Sequence, residues 1–461
     1  MKTVLVTIFQ AVEAKNILRT NVIHRLLEEP DVRVVCLTRS PERAEHYRRE
    51  IAHERLRYEV YDGSPSGFWE RLFSFLKFRL IRTATTDLKR RMHRGRGVRS
   101  IGYWCGFAAN RMIARRSMRC VARFFDARLV SEPGATALLK THRPDAVFAA
   151  HLFDDAEIAI LREAARLYIP TVGFINSWDK LTARSAIRFL PDRLIVFNDI
   201  VKREAMTHAD MPEERITVSG IPQYDQYISD TPIAREEFCR AHGLDPAKQI
   251  ILFAPMGRAF SDSDWDVIDL LHQITGAGSP VKPVELFVRF QPNDFFDERE
   301  IPKRPWLKYA YPGTRFGTSR GGDWDMSFQE LANLTATLAH SALLVCYASS
   351  MSVDAACFNK PVININFELK PSSLPGKSPT QYYATEHYRN ILATGGVRLV
   401  ENPNELVQWI NRYLADPSLD RESRMRLVRE QCGVMDGKAG ERIAETVLGE
   451  ITKRHEKILA R

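Results

Sequence analysis

No apolar run in this 461-residue chain approaches the ~18–20 residues that cross a bilayer, which argues against a membrane-spanning protein. The opening MKTVLVTIFQ is interrupted by Gln10 and Glu13, and no small-residue cleavage site follows, so it reads as a first strand and not as a signal peptide. Cysteine is sparse and scattered: the seven residues (36, 105, 120, 239, 346, 357 and 432) form no CxxC pair and have no histidine at ligand spacing. That pattern suits a reducing cytosol and argues against a zinc site. There is no repeat of solenoid length, and with 44% hydrophobic and 27% charged residues no stretch is poor enough in apolar residues to stay disordered. Acidic residues are nearly missing from one segment. Between Arg71 and Arg123 a single Asp87 faces 15 Lys or Arg, about +14 within a chain of +9, so the remainder sits near −5.

What is present is an alternation of short β-like runs with longer helical ones, the pattern of βαβ units around parallel sheets. Runs at 3–9, 32–38 and 56–62 open the chain. After the basic segment the alternation resumes at 145–150, 170–175, 192–197 and 215–220, then restarts at 249–255 and 284–290, followed by 342–348, 361–367 and 397–400. The length suits two domains of ~100–200 residues each. The reading is an α/β protein of two facing Rossmann-like domains, the GT-B arrangement. The first, 1–225, carries a basic insertion at about 71–125; the second is 226–461, its last helix packing back on the first.

In open α/β sheets ligands bind beyond the carboxyl ends of the strands. After the strand ending at Tyr347 come Ser349, Ser350 and Ser352 around a helix start, with Asp354 in its first turn. Free N–H groups and hydroxyls there form an anion site suited to a diphosphate, or the serines merely cap the helix. The stretch SSMSVDAACFNKPV resembles the nucleotide-binding segment of GT-B enzymes in the CDP-glycerol glycerophosphotransferase-like and UDP-N-acetylglucosamine 2-epimerase-like group. The resemblance implies a nucleotide-activated sugar as donor, with Asp354 at the acidic position that often contacts the ribose. ILFAPMGR (251–258) resembles the turn that opens the second domain in that group, which implies a phosphate contact for Arg258. In LFVRFQPND (286–294) Arg289 stands for the lysine of the group's Lys-Pro-His-Pro turn, whereas Gln291 replaces its histidine.

In the first domain, residues 173–205 resemble bacterial surface-polysaccharide transferases of the same group. The turn NSWDKLTAR gathers Trp178, Asp179 and Lys180, a stacking ring beside a carboxylate and an amine, as a sugar or acceptor site. The general base has three candidates: Glu13, placed similarly to the catalytic carboxylate of some GT-B lipid-A Kdo transferases, then Asp179, then His151 at a strand end. His387 falls in a loop between the final strands where a substrate could touch it. GIPQYDQY (220–227) resembles the interdomain hinge motif.

The basic insertion interleaves aromatic residues with its cations, and Trp69, Leu72, Phe73, Leu76 and Leu80 form a helical stripe. This predicts docking on an anionic membrane surface through Lys89, Arg90, Arg91, Arg94 and Arg96, with nucleic acid the lesser option. The combined expectation is a metal- and cofactor-independent glycosyltransferase, peripheral on the cytoplasmic membrane face, acting on a lipid-linked or polysaccharide acceptor. The alternatives are a sugar-nucleotide epimerase, a polyol-phosphate transferase, or a basic polyanion-binding protein that keeps the fold without catalysis.

Overall fold

The computed structural model describes residues 1–92, 98–276, 280–294, 296–317, 322, 324–373 and 377–459. The chain divides into two compact units, one formed by Met1–Ile228 with Gly433–Arg461 and the other by Ser229–Cys432.

The first unit holds seven parallel strands: β1 (Lys2–Thr7), β2 (Val32–Thr38), β3 (Leu56–Val60), β4 (Ala146–Ala149), β5 (Thr171–Phe174), β6 (Arg193–Val196) and β7 (Ile216–Val218). Their order is β3-β2-β1-β4-β5-β6-β7. The central strands are short runs rich in Val, Leu and Ala, buried except at Lys2 and Arg33, as expected for a sheet covered by helices on both faces. The order reverses between β1 and β4, which opens a crevice at their carboxyl ends.

The second unit repeats the plan with β8 (Gln249–Ala254), β9 (Val284–Arg289), β10 (Tyr309–Ala310), β13 (Ser341–Cys346), β14 (Val362–Ile365) and β15 (Arg398–Val400). They are ordered β10-β9-β8-β13-β14-β15, with the switch between β8 and β13. A small antiparallel pair, β11 (Thr314–Arg315) and β12 (Trp324–Asp325), stands apart. Among the described residues no helix is long and apolar enough to cross a membrane.

The final helix, Ala439–Leu459, belongs to the first unit, where it packs on the helix Asn21–Glu28. The GIPQYD turn explains how. The Asp225 carboxylate accepts the N–H groups of Ala439 (3.1 Å) and Gly440 (2.8 Å), so it caps that helix. Gly220 has φ +86°, and a Cβ there would meet the Val434 carbonyl oxygen at 2.8 Å. The motif therefore docks the returning chain.

The basic insertion folds as helices Phe68–Leu76, Ala84–Met92, Val98–Ile113 and Arg116–Leu129. A buried set of charges welds it to the sheet domain. Arg188 bonds Asp126 (2.7 Å) and Glu70 (3.0 Å), Arg162 bonds Asp126 (2.5 Å), and Lys77 bonds Asp155 (2.5 Å). Three cations face three carboxylates, so the cluster is neutral. The expected membrane stripe is corrected here: Phe73 on the first helix and Leu80 beyond its end are buried, with Leu80 packed against Ala186, because this side of the insertion meets the body of the unit, while Trp69 stays exposed.

Candidate functional site

The crevice of the first unit gathers four side chains from three strand ends. Glu13 follows β1, His151 follows β4, Lys180 follows β5, and Glu157 lies on the helix Asp155–Arg166 after β4. Glu13 is wholly buried. Its Oε2 accepts the N–H groups of Phe9 (2.5 Å) and Gln10 (3.0 Å), which holds the carboxyl in place, while Oε1 has no partner. Burial pushes its pKa up to about 8 against those two hydrogen bonds, so Glu13 keeps its proton at neutral pH. The raised pKa runs against the expectation that Glu13 serves as a base.

Glu157 is equally buried, and burial followed by the neighbouring Glu13 holds its pKa well above the usual carboxylate range. Its Oε1 accepts the Thr7 hydroxyl, and Thr7 in turn accepts the Ala150 N–H (3.0 Å). The His151 Nδ1 lies 3.3 Å from Glu157 Oε2, and the Lys180 ammonium lies 2.9 Å from His151 Nε2. An ammonium can only donate, so Nε2 accepts from Lys180, and the Phe153 N–H lies 3.4 Å from Nδ1. Burial, then Lys180, then Arg184 keep the imidazole neutral far below its ordinary pKa. The result is a carboxyl held protonated beside an imidazole held neutral.

Asp179 and Trp178 form the half-buried rim. Asp179 accepts the Ser177 hydroxyl (2.7 Å), and the Trp178 ring packs edge-on against Phe197. Glu13, His151 and Glu157 each bring a ligand atom within 4.8 Å of the others, a spacing open to a divalent cation, although Lys180 already supplies a positive charge at His151. Glu157 was missed in the sequence. Its signal is that an acid in DAEIAILREAAR shares the buried helix face with Ile160, Leu161 and Ala164.

In the second unit the switch point carries Arg258 and the serine turn. Arg258 is exposed after β8, its N–H donating to Asp294 (2.8 Å), and the neighbouring Gly257 has φ +96°. Asp264 accepts the Gly257 N–H (2.7 Å); its burial pushes its pKa up to about 6. Ser349 accepts the Met351 N–H (3.3 Å), and Ser350 is the exposed first cap of the short helix Met351–Cys357. Asp354 lies on that helix, 5% exposed.

Two donor expectations are corrected. The Ser352 hydroxyl is buried in a core network with Tyr388 (2.8 Å) and Asn364 (3.1 Å), because helical spacing turns it toward the sheet. Arg289 is buried under the helix Phe328–His340, 3.5 Å from Thr337 Oγ1, and does not face an open phosphate site. His387 sits on the helix Glu386–Ala393 and not in a loop, its ring edge-on to Tyr388.

The basic candidates divide similarly. Lys89 donates to the Ala183 carbonyl (3.1 Å), and burial lowers its pKa. Arg90 bonds Asn110 (2.7 Å), Asp87 (3.2 Å) and the Phe78 carbonyl (3.0 Å). Both serve the interior of the unit. Arg91 is exposed, whereas Arg94 and Arg96 lie outside the described residues.

No protein-family model matches the sequence, and no curated protein matches it. Solved structures do. A UDP-GlcNAc 2-epimerase from Neisseria meningitidis bound to UDP-GlcNAc is 13% identical with a TM-score of 0.53, over 97% of this chain and 100% of that one. The S. aureus MnaA–UDP structure is 11% identical with a TM-score of 0.52, over 98% of each chain. A variant of the wall teichoic acid polymerase TagF is 10% identical with a TM-score of 0.53, over 99% of this chain and 90% of that one. At these identities the likeness is one of fold, and the fold is GT-B.

Proposed function

We propose that this chain is an enzyme of nucleotide-activated sugars, with proton transfer at the Glu13–Glu157–His151–Lys180 cluster and the donor nucleotide at the Arg258 and Ser349–Ser350 turns of the second unit. The observation that carries the reading is the cluster itself. A carboxyl that holds its proton to about pH 8 is a general acid at neutral pH, and the neutral imidazole beside it is a general base. An acid and a base in one dry crevice suit inversion at a sugar carbon, where one face loses a proton and the other gains one. That favours the epimerase-type reaction. The solved structures of the same fold with UDP-GlcNAc and UDP bound support a sugar nucleotide as the substrate class.

A second reading is favoured by one specific observation, the exposed aromatic and cationic surface of the insertion. A soluble sugar nucleotide has no need of it. In this reading the enzyme transfers a sugar or polyol phosphate to a lipid-linked or surface-polysaccharide acceptor at the cytoplasmic membrane face, and His151 takes the acceptor's hydroxyl proton.

The test is a thermal-shift screen against UDP-, CDP-, CMP- and GDP-linked sugars, followed by product analysis with and without a lipid-linked acceptor. At least one donor should raise the melting temperature and be turned over. A changed sugar without acceptor identifies the epimerase reaction, and acceptor-dependent nucleotide release identifies transfer. No shift and no product with any donor would remove the proposal.

A further inference from the structure

We infer that the outward face of the insertion docks on an anionic bilayer by placing an apolar helical stripe among the lipids. The helix Arg116–Leu129 is amphipathic in the reverse sense for a soluble protein. Three of its charged residues point inward: Arg119 bonds Asp210 (2.6 Å), Arg123 bonds Asp210 (2.9 Å), and Asp126 joins the buried cluster with Arg162 and Arg188. Its apolar residues point outward. Met118, Val121, Phe125 and Leu129, spaced as one helical face, are each at least 40% exposed.

The neighbouring segment adds Phe75 and Phe78, and seven of the eight exposed Phe and Trp side chains among the described residues fall between 68 and 125. Such a concentration of exposed aromatic side chains marks an interaction surface and not a solvated face.

Charge selects the partner. The two acidic residues between 71 and 131, Asp87 and Asp126, are both buried, so none is exposed to repel phosphodiester headgroups. Arg115, Arg116 and Arg128 are exposed at the ends of the stripe. The Arg128 guanidinium lies over the Phe124 ring at 3.5 Å, a long side chain laid along apolar surface with its charge at the rim. Cations at headgroup depth and aromatic and aliphatic side chains just below are the two components of interfacial helix binding.

The insertion is also bonded to the segment that bears Lys180. Thr83 donates to the Thr182 carbonyl (2.5 Å), Lys89 to the Ala183 carbonyl (3.1 Å), and Ala186 N–H to the Lys77 carbonyl (2.9 Å). Docking thus fixes the acid–base crevice relative to the membrane surface. The inference deepens the second reading above, and its purpose, presenting a membrane-held acceptor, rests on it.

The test is co-sedimentation of the full chain, without nucleotide sugar, with phosphatidylcholine vesicles and with vesicles that also contain phosphatidylglycerol. Binding to the anionic vesicles is expected, with little to the neutral ones. The double variant Val121→Glu/Phe125→Glu should weaken it on the order of 100-fold, since two apolar anchors become charges. Both side chains are exposed, so the variant should melt as the wild type does. Met425→Glu, an exposed site in the second unit, should bind as before. Wild type that ignores anionic vesicles, or a double variant that binds them undiminished, overturns the inference. So does self-association that the double variant abolishes in the absence of vesicle binding, which would assign the face to a second copy of the chain. Turnover of a soluble sugar nucleotide is assayed without vesicles, so failure of docking and failure of the proposed reaction are separable.

Discussion

At the scale of single residues, the decisive feature is a carboxyl buried in the folded state. Glu13 is held by two N–H donors that favour its ionised form, yet burial outweighs them and raises its pKa from 4.5 to about 8. The folded state therefore binds a proton that the unfolded chain releases near pH 4.5. Where the native state binds more protons, stability falls as pH rises, here between about 4.5 and about 8. Glu13→Gln keeps the shape and an acceptor for Phe9 and Gln10 but cannot ionise. Thermal melts should show wild type losing stability across that window while the variant stays flatter and overtakes it above pH 8. Turnover of the same variant should drop by about 10²–10⁴-fold, the usual contribution of a general acid or base. Nucleotide binding, proposed for the other unit, should be unchanged. A variant with full activity would remove Glu13 from the chemistry.

The residue types at the crevice were legible because they follow strand ends, and strand ends in parallel sheets are where sites form. Glu13, His151, Asp179 and Lys180 could be named on that ground alone. Their protonation states were not, because these depend on burial and on Glu157, which stands far from Glu13 in the chain. Ser352 and Arg289 show the opposite case: position after or within a strand suggested a phosphate contact, but the direction of each side chain sends it into the core.

At the scale of elements, the insertion carries the main discrepancy between pattern and structure. Helical spacing placed Trp69, Leu72, Phe73 and Leu76 correctly on one helix, which ends before Leu80, but periodicity alone does not say which way a face points. The buried carboxylates decide it. Glu70 and Asp126 need cations, and Arg162 and Arg188 of the sheet domain supply them, which turns the charged side of Arg116–Leu129 inward. A buried ion pair that loses one member leaves an uncompensated charge and costs about 3–5 kcal/mol. Arg188→Met should therefore lower the urea-unfolding free energy of the protein by that amount. Arg128→Gln, on the exposed face, should change it by less than about 0.5 kcal/mol. Equal small effects would mean that the ionic cluster does not hold the insertion.

At the scale of the whole molecule, the alternation of strand and helix was readable because parallel strands covered on both faces are continuous apolar runs. Every strand of both central sheets except the two-residue β10 coincides with such a run. The chain's return to its first unit was expected from its long terminal helix, without the contacts that hold it. What fixes it is the Asp225 cap and the close approach at Gly220, contacts more than 200 residues apart in sequence. The helix Asp264–Gly276 was not foreseen although its buried Val267, Ile268, Leu271 and Ile274 recur at helical spacing, and neither was the small β11–β12 pair.

The central claim is that the first-unit crevice moves a proton on a nucleotide-activated sugar. It is tested most directly by following a UDP-linked N-acetyl sugar by NMR in deuterated buffer, with wild type and with His151→Gln. Deuterium should enter a sugar carbon in the presence of wild type and fail to enter with the variant, while nucleotide binding persists in both. Exchange at an undiminished rate in His151→Gln, or neither exchange nor transfer by wild type with any sugar nucleotide, would contradict the account.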